Sequence, residues 1–300
     1  MAKYSISDLE RLSGVQIHTI RIWERRYNAL EPMRSAGNTR LYDDKHLRRL
    51  LNIVGLSKTG LKISQVCALS DKEIDVMLKE DMDSTVSPDI KYEYYISQLL
   101  RFGIAYEEIE FDQLINRCIQ EFGMINTYKS VIYPLLVRLG LMWRRDHICP
   151  AQEHFLSNII RQKIYVAINE LPITLEPSAN WLLFLPEDED HDIGLLFASY
   201  LLRLQGQGVV YLGAKVPFDA LEHVIANSRV DHILLFMTRS RPISDANDYL
   251  DSLSNEYKNI NIHIAGNTKL IGDLSLAGNV SWLRNIEDFE TIIKESQHVA

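Results

Sequence analysis

Two short segments of the sequence place a histidine beside carboxylates. Glu189-Asp190-His191-Asp192-Ile193-Gly194 has an acidic residue two positions before the histidine, and Gly194 would let a ligand or a backbone approach closely. A carboxylate that binds one imidazole nitrogen orients the other toward a metal. The pattern therefore predicts ligand or metal binding. On local chemistry alone, a solvated acidic loop with an incidental histidine remains the stronger interpretation.

A second pair, Glu153-His154, follows Pro150, which suits the first turn of a helix. Trp143 ends the preceding apolar segment. We expect the tryptophan to lie close to the Glu-His pair across this connection. A core tryptophan and a surface Glu-His pair are the alternative.

Polar and basic residues near the N-terminus indicate a different chemistry. Such side chains on a short helix and an adjacent hairpin are costly to bury and suit phosphates and base edges. A solvated helix face is the alternative, which the local charge and the Gly-containing turn make the weaker one. The candidate DNA-binding residues are His18, Thr19, Arg21, Arg25, Arg26, Tyr27, Arg34, Asn38, Arg40 and Tyr42.

Charge is distributed unevenly along the chain. The net charge is −8, yet residues 1–62 hold 12 Lys and Arg against 6 Asp and Glu, and the remainder holds 20 against 34. A basic head on an acidic body is typical of a DNA-binding protein with a separate sensing or assembly module. No apolar run could span a membrane, and the first residues lack a signal-peptide core, so we expect a cytoplasmic protein. Three scattered cysteines argue against a disulfide framework or a cysteine metal cluster.

The elements that would position the basic residues follow a helix-turn-helix pattern. Ser7 is a candidate N-cap with Glu10 three residues later, Ser13-Gly14 breaks the helix, and a second helix runs from about 16 to 27. Residues 29–42 predict a hairpin, or wing. Asp43 or Asp44 then caps a helix through about Thr59 that ends at Gly60, and short helices follow near 63–69 and 71–79.

The rest of the chain changes period once. Residues 91–171 show helical spacing in four segments, near 91–102, 107–122, 125–144 and 150–170, and predict a four-helix bundle. From about residue 180, short apolar runs alternate with helices, which predicts a Rossmann-like (flavodoxin-like) doubly wound parallel sheet. The fold class is therefore multidomain, α and α/β. The predicted domains are a winged helix-turn-helix over 1–79, a linker over 80–90, the bundle over 91–175 and the α/β domain over 176–300.

The N-terminal motifs resemble those of the MerR family of regulators. The resemblance rests on Tyr4-Ser-Ile-Ser-Asp-Leu-Glu, Thr19-Ile-Arg-Ile-Trp-Glu-Arg-Arg-Tyr27 and Gly37-Asn38-Thr39-Arg40-Leu41-Tyr42. It covers roughly residues 3–75. It implies a dimer that binds double-stranded promoter DNA.

The C-terminal motifs resemble the cobalamin-binding module of light-responsive MerR regulators of the CarH/LitR type. Trp143, nine residues and then Glu153-His154 match the bundle of that module, and Glu189, His191 and Gly194 match its cobalamin loop. The resemblance implies adenosylcobalamin as cofactor, with His191 as the lower cobalt ligand. It also implies that Trp143 and Glu153 lie beside the adenosyl group and that His154 becomes the upper ligand after photolysis. A tetramer would repress in the dark, and light would disassemble it.

The sequence departs from this pattern at two places near the expected nucleotide tail of the cofactor. Phe236-Met237-Thr238-Arg239-Ser240 stands where Ser-x-Leu or Ser-x-Thr is usual, with Thr238 as a substitute, and Ala265-Gly266 stands where Gly-Gly is usual. A B12-independent regulator is therefore an alternative, its α/β domain serving oligomerisation or a protein partner. A B12-dependent methyltransferase or mutase component is a third hypothesis. The basic helix-turn-helix and the lack of a catalytic motif argue against an enzyme.

Overall fold

The chain forms two compact units, Met1–Ile159 and Ile160–Ala300. They come from a computed structural model that describes residues 4–35, 37–57, 61–80, 88–143 and 149–296. None of the helices in these ranges is long and apolar enough to cross a membrane. Each unit is described by itself below.

The first unit begins with the predicted winged helix-turn-helix. Its elements in chain order are α1 (Ile6–Ser13), α2 (Ile17–Tyr27), β1 (Met33–Arg34), β2 (Arg40–Leu41), α3 (Asp44–Ser57), α4 (Ile63–Ala68) and α5 (Asp71–Glu80). Strands β1 and β2 pair antiparallel as the wing. The core of this head is formed by fully buried side chains from three helices, Leu9, Ile20, Leu47 and Leu50 among them.

The N-cap of α1 differs from the sequence prediction. Ser5, not Ser7, caps the helix: its Oγ accepts from the amide of Asp8, and Asp8 Oδ2 accepts from the amide of Ser5 at 2.8 Å. The reciprocal bonds require an acceptor three residues after the cap, and Asp8 supplies it. Glu10, the predicted partner of Ser7, instead accepts from the amide of Ile17 at 2.9 Å, at the start of α2.

Two further boundaries can be compared with the prediction. Asp43 caps α3, because its Oδ1 accepts from the amides of Lys45 and His46. The predicted end of this helix at Thr59-Gly60 lies outside the described residues. Helix α6 begins at Pro88, inside the segment predicted as a linker, because proline suits a first helical turn that needs no amide donor.

The helical region that follows has four long helical segments, as predicted. They are α6 (Pro88–Ala105), α7 (Glu108–Thr127), a π-helical turn (Tyr128–Ile132) continuing into α8 (Tyr133–Trp143), and α9 (Pro150–Asn169). Helix α7 is kinked at Gly123, whose φ of 76° suits glycine. Helix α3 packs against α6, and for this reason residues 50–56 of α3 are buried all around the helix.

The second unit holds a five-stranded parallel sheet. Its strands are β3 (Asn180–Pro186), β4 (Gly208–Val216), β5 (His232–Met237), β6 (Asn261–Gly266) and β7 (Val280–Trp282). They lie in the order β4-β3-β5-β6-β7, which is the flavodoxin-like arrangement, so the predicted fold is confirmed. The intervening helices are α10 (Ile193–Leu204), α11 (Ala220–Asn227), α12 (Ile243–Glu256), α13 (Thr268–Ile271) and α14 (Ile286–Ser296).

The order of the strands determines where a ligand can bind. The chain leaves β3 toward α10 and leaves β5 toward α12, and both connections lie at the carboxyl edge of the sheet. Crevices form at this edge where the strand order reverses, here between β3 and β5. The segment that contains His191 follows β3 directly.

Candidate functional site

His191 lies on the loop that follows the central strand β3, and its ring is held by Glu189. The Nδ1 atom of His191 lies 2.5 Å from Glu189 Oε1, with the histidine side chain 56% exposed and the glutamate fully buried. The same oxygen accepts from the amides of Asp190 and His191 at 3.2 Å. This bond fixes the ring, so a metal would be bound through Nε2.

Glu189 also joins the loop after β3 to the loop after β5. Its Oε2 accepts from the amides of Thr238 at 2.6 Å and Arg239 at 2.8 Å. Burial by itself would raise the pKa of Glu189, but the hydrogen bonds from His191 and from these two amides lower it to about 2. The carboxylate is therefore ionised throughout the physiological range. The side chain of Thr238 is exposed, and its contribution to the site is its amide.

Arg241 is a site residue that the sequence reasoning missed. Its side chain is 9% exposed and pairs with Asp188 Oδ1 at 3.2 Å and Glu189 Oε2 at 3.7 Å. Arg239 adds a bond from Nη1 to the carbonyl of Asp188 at 3.0 Å. The sequence does contain a signal for this contact. An acidic run follows β3 and two arginines, Arg239 and Arg241, follow β5, and the pairing of these parallel strands brings the two loops together.

Gly194 and Gly266, both predicted to bind the cofactor, are used for close packing within the protein. A Cβ on Gly194 would lie 2.9 Å from the Phe236 ring, and a Cβ on Gly266 would lie 2.3 Å from the Met237 carbonyl oxygen. Gly266 has a φ of 130°. Both positions therefore bring the loops after β3 and β6 onto the end of β5.

The second Glu-His pair lies on the first turns of α9, in the other unit. His154 is 70% exposed, with its Nδ1 3.3 Å from Glu153 Oε2, and Glu153 Oε1 accepts from Ser157 Oγ at 2.5 Å. Pro150 is the first residue of α9, as expected. Trp143 ends α8, but its side chain lies outside the described residues, so its predicted contact with the pair stays a prediction.

The winged helix-turn-helix presents a basic face on α2. His18, Arg21, Arg25 and Arg26 are exposed, while Thr19 and Tyr27 are partly exposed. A shallow groove along this face is lined by Glu10, Gln16, Ile17, His18, Arg21, Ile22 and Arg25. Side chains in this arrangement can approach base edges and phosphates in a major groove.

The wing residues fall into two classes. Arg34 and Asn38 are exposed at the hairpin and bind each other, Arg34 Nη1 to Asn38 Oδ1 at 2.8 Å. Tyr42, predicted to contact DNA, is fully buried and donates its hydroxyl to Glu24 at 2.5 Å. Arg40 also pairs with Glu24, at 3.3 Å, and is partly exposed. Tyr42 therefore joins the wing to α2 rather than presenting a surface to DNA.

Comparison with known proteins agrees with this division. Residues 4–72 match the family described as MerR HTH family regulatory protein. This match covers the winged helix-turn-helix and identifies it as a MerR-type DNA-binding domain. Residues 95–168, which span most of the bundle, match the family described as B12 binding domain. The protein is thus a DNA-binding regulator with a cobalamin-binding module.

Curated relatives support the same assignment over most of the length. The HTH-type transcriptional repressor CarH of Myxococcus xanthus is 28% identical over 252 residues, which are 83% of this chain and 84% of the relative. The repressor CarA of the same organism is 27% identical over 243 residues, 79% of this chain and 77% of the relative. Both relatives are regulators, which supports the non-enzymatic interpretation.

A solved structure shows the likeness of the fold. The monomethylamine corrinoid protein of Methanosarcina barkeri has a TM-score of 0.53 at 15% identity, and the likeness covers 66% of this chain and 96% of that one. At this level of identity the likeness concerns architecture alone.

The donor set of the loop after β3 fits cobalamin. A partly exposed imidazole, held by an ionised and buried carboxylate, is a ligand arrangement suited to a cobalt ion. The backbone amides of Thr238 and Arg239 occupy Glu189 Oε2, so the segment that departs from the family pattern still supports the carboxylate. The fit rests on these contacts.

Proposed function

We propose that this regulator binds adenosylcobalamin with His191 as the lower cobalt ligand and that this binding controls its affinity for promoter DNA. The single observation that carries this proposal is the bond between His191 and the fully buried Glu189. Holding an imidazole in this way costs the burial of a charge, which a merely solvated loop would avoid. When bound, cobalamin would supply a light-sensitive carbon–cobalt bond.

The bundle residues would take the other face of the cofactor. By their match to the family pattern, Trp143 and Glu153 would contact the adenosyl group, and His154 would replace it after photolysis. The exposure of His154 is compatible with a ligand that is recruited rather than held in advance. Thr238 and Gly266 would lie near the nucleotide tail, and Gly194 would let the cofactor approach the loop of His191.

The DNA side of the proposal uses the exposed basic face. His18, Thr19, Arg21, Arg25, Arg26 and Tyr27 would enter the groove, with Arg34, Asn38 and Arg40 on the adjacent backbone. The likeness to two repressors supports repression. We also propose a homodimer or tetramer as the DNA-bound form and action in the cytoplasm. Light would release the DNA.

The test is an absorbance spectrum of the full chain mixed with adenosylcobalamin in the dark, desalted, and repeated after green light. We expect retained cobalamin whose spectrum changes on illumination. His191→Ala should lose the protein-bound spectrum. His223→Ala, which removes an exposed histidine of α11 in the same unit, should keep it. Complete loss of cobalamin from the wild type on desalting would refute the proposal.

The second candidate is a cofactor-independent regulator, favoured by the packing at the end of β5. The Phe236 ring already packs close to Gly194, and the Met237 backbone packs close to Gly266, the two glycines predicted to bind the cofactor. In that case DNA binding would be the same with and without cobalamin, and the α/β unit would serve assembly or bind a protein.

A further inference from the structure

An arginine of the helical bundle reaches the turn of the helix-turn-helix. Arg138 of α8 donates from Nη2 to Glu93 Oε2 at 2.8 Å and from Nη1 to the carbonyl oxygen of Leu12 at 3.4 Å. Its side chain is 16% exposed. The carbonyl of Leu12 belongs to the last turn of α1, where unsatisfied carbonyl groups carry partial negative charge. The guanidinium therefore neutralises both Glu93 and this helix end.

Gly14, the turn residue between α1 and α2, rests on the same ion pair. A Cβ built on Gly14 would lie 3.6 Å from Glu93 Oε1 and 3.9 Å from Arg138 Nη2. Gly14 has a φ of 71°, which any other residue would adopt at a cost. Ile17, three residues later, begins the reading helix α2. The pair therefore supports the backbone that sets the direction of α2.

A second contact holds the same two parts together. Gln98 of α6 is buried and donates to the carbonyl of Leu51 in α3 at 3.5 Å. The head and the bundle helices fall in one compact unit. Most of the contact between the winged helix-turn-helix and the bundle comes from the packing of α3 on α6. The ion pair, by contrast, lies directly beside the turn between α1 and α2.

We propose that Arg138, with Glu93, is a positioning residue for DNA reading, although neither lies in the helix-turn-helix. The pair fixes the angle at which α2 is presented, and so it contributes to the preference for a specific sequence more than to general attraction for DNA. The same helix ends at Trp143, so a displacement of α8 would change the support of the turn. The inference rests on DNA binding alone and not on the cofactor.

The experiment compares two duplexes of equal length at fixed salt, with the full chain. One is a duplex that the wild type selects from a random pool, and the other is a mixed, unselected duplex. Affinity for both is measured by fluorescence anisotropy for the wild type, Arg138→Gln, Arg138→Lys and Glu93→Gln. Lys91→Gln is the matched control, because Lys91 forms a similarly exposed pair with Glu121 between α6 and α7.

We expect Arg138→Gln and Glu93→Gln to weaken binding to the selected duplex about five- to tenfold while changing binding to the unselected duplex less than about twofold. Arg138→Lys should recover part of the preference, and Lys91→Gln should keep it. An equal loss on both duplexes, or an unchanged preference in Arg138→Gln and Glu93→Gln, would overturn the proposal. Because Glu93→Gln keeps the arginine, misfolding of one variant leaves the other as the test.

Discussion

The two Glu-His pairs of this molecule have the same chemistry but differ in what surrounds them. Glu189 is fully buried and accepts from two amides of a neighbouring loop, while its histidine partner is half exposed. Glu153 is 30% exposed, accepts from one serine and lies 3.3 Å from a histidine that is 70% exposed. The first pair is held by several segments of the chain, and the second by one helix turn.

On the proposed function, this difference would separate His191, a ligand oriented before the cofactor binds, from His154, a ligand that is recruited later. Strands β3 and β5 are neighbours in the sheet, so their carboxyl ends deliver the donors that surround Glu189. Among the described residues, the partners of Glu153 are Ser157 and His154, both on the same helix. Support from a second shell of this kind orients a ligand and strengthens its binding. If the contacts around the two pairs matter, substitutions at Glu189 and at Glu153 should differ in their effect on the free energy of unfolding.

The largest expected effect is on the stability of the ligand-free protein. Glu189→Ala should lower the free energy of unfolding of the α/β unit by about 3–5 kcal/mol, because it leaves the amides of Thr238 and Arg239 without their acceptor and removes one of the two carboxylates that face Arg241. Glu153→Ala should cost less than about 1 kcal/mol. Urea unfolding of both variants measures this. Equal losses would show that the burial of Glu189 has no structural role.

The buried counter-ion should have the next largest effect. Arg241→Met keeps much of the side-chain volume but leaves Asp188 and Glu189 without their cation, and we expect a loss of about 2–3 kcal/mol. Arg229→Met is the control, since Arg229 is 71% exposed and pairs with Asp231 elsewhere in the same unit. If both variants unfold at the same urea concentration, the ion pairs of Arg241 with Asp188 and Glu189 do not contribute to stability.

A buried histidine without a carboxylate partner sharpens the comparison by its pH dependence. His263 is 5% exposed, stacks on Trp181 and bonds Ser281 and His232. Burial, and then the neighbouring His232, lower its pKa from 6.5 to about 3. The unfolded chain therefore binds this proton first as pH falls below 6.5, and stability decreases between pH 6.5 and 3.

We expect the wild type to lose about 1 kcal/mol between pH 6.5 and 5.5 from this group, because the unfolded histidine is half protonated at pH 6.5 and almost fully protonated at pH 5.5. His263→Gln should remove most of the loss, although it starts from a lower stability at pH 7.5. His223→Gln should retain the loss. Urea unfolding at pH 7.5, 6.5 and 5.5 measures the difference, and an unchanged slope in His263→Gln would contradict the assignment.

The sequence predicts the residues of the candidate site more readily than the contacts that position their side chains. His191 and Glu189 were found from their spacing, and the parallel sheet from alternating apolar runs, because both signals are local. Arg241 and the amides of Thr238 and Arg239 reach Glu189 only through the pairing of β3 with β5. The burial of Tyr42 depends likewise on Glu24, eighteen positions earlier. Neither the partners of Glu189 nor the burial of Tyr42 could be predicted without knowing which elements are neighbours in the fold.

The smallest expected effect concerns the one support that Glu153 has among its described neighbours besides His154. Ser157 is 1% exposed, and its hydroxyl is oriented toward Glu153 from the next helical turn. Ser157→Ala should cost at most about 1 kcal/mol, since the partly exposed carboxylate can bond water instead. If the pair is recruited by ligand, this variant should retain cobalamin like the wild type in the dark. A stability loss as large as that of Glu189→Ala would instead show that the helix turn holds the pair as firmly as the two loops hold His191.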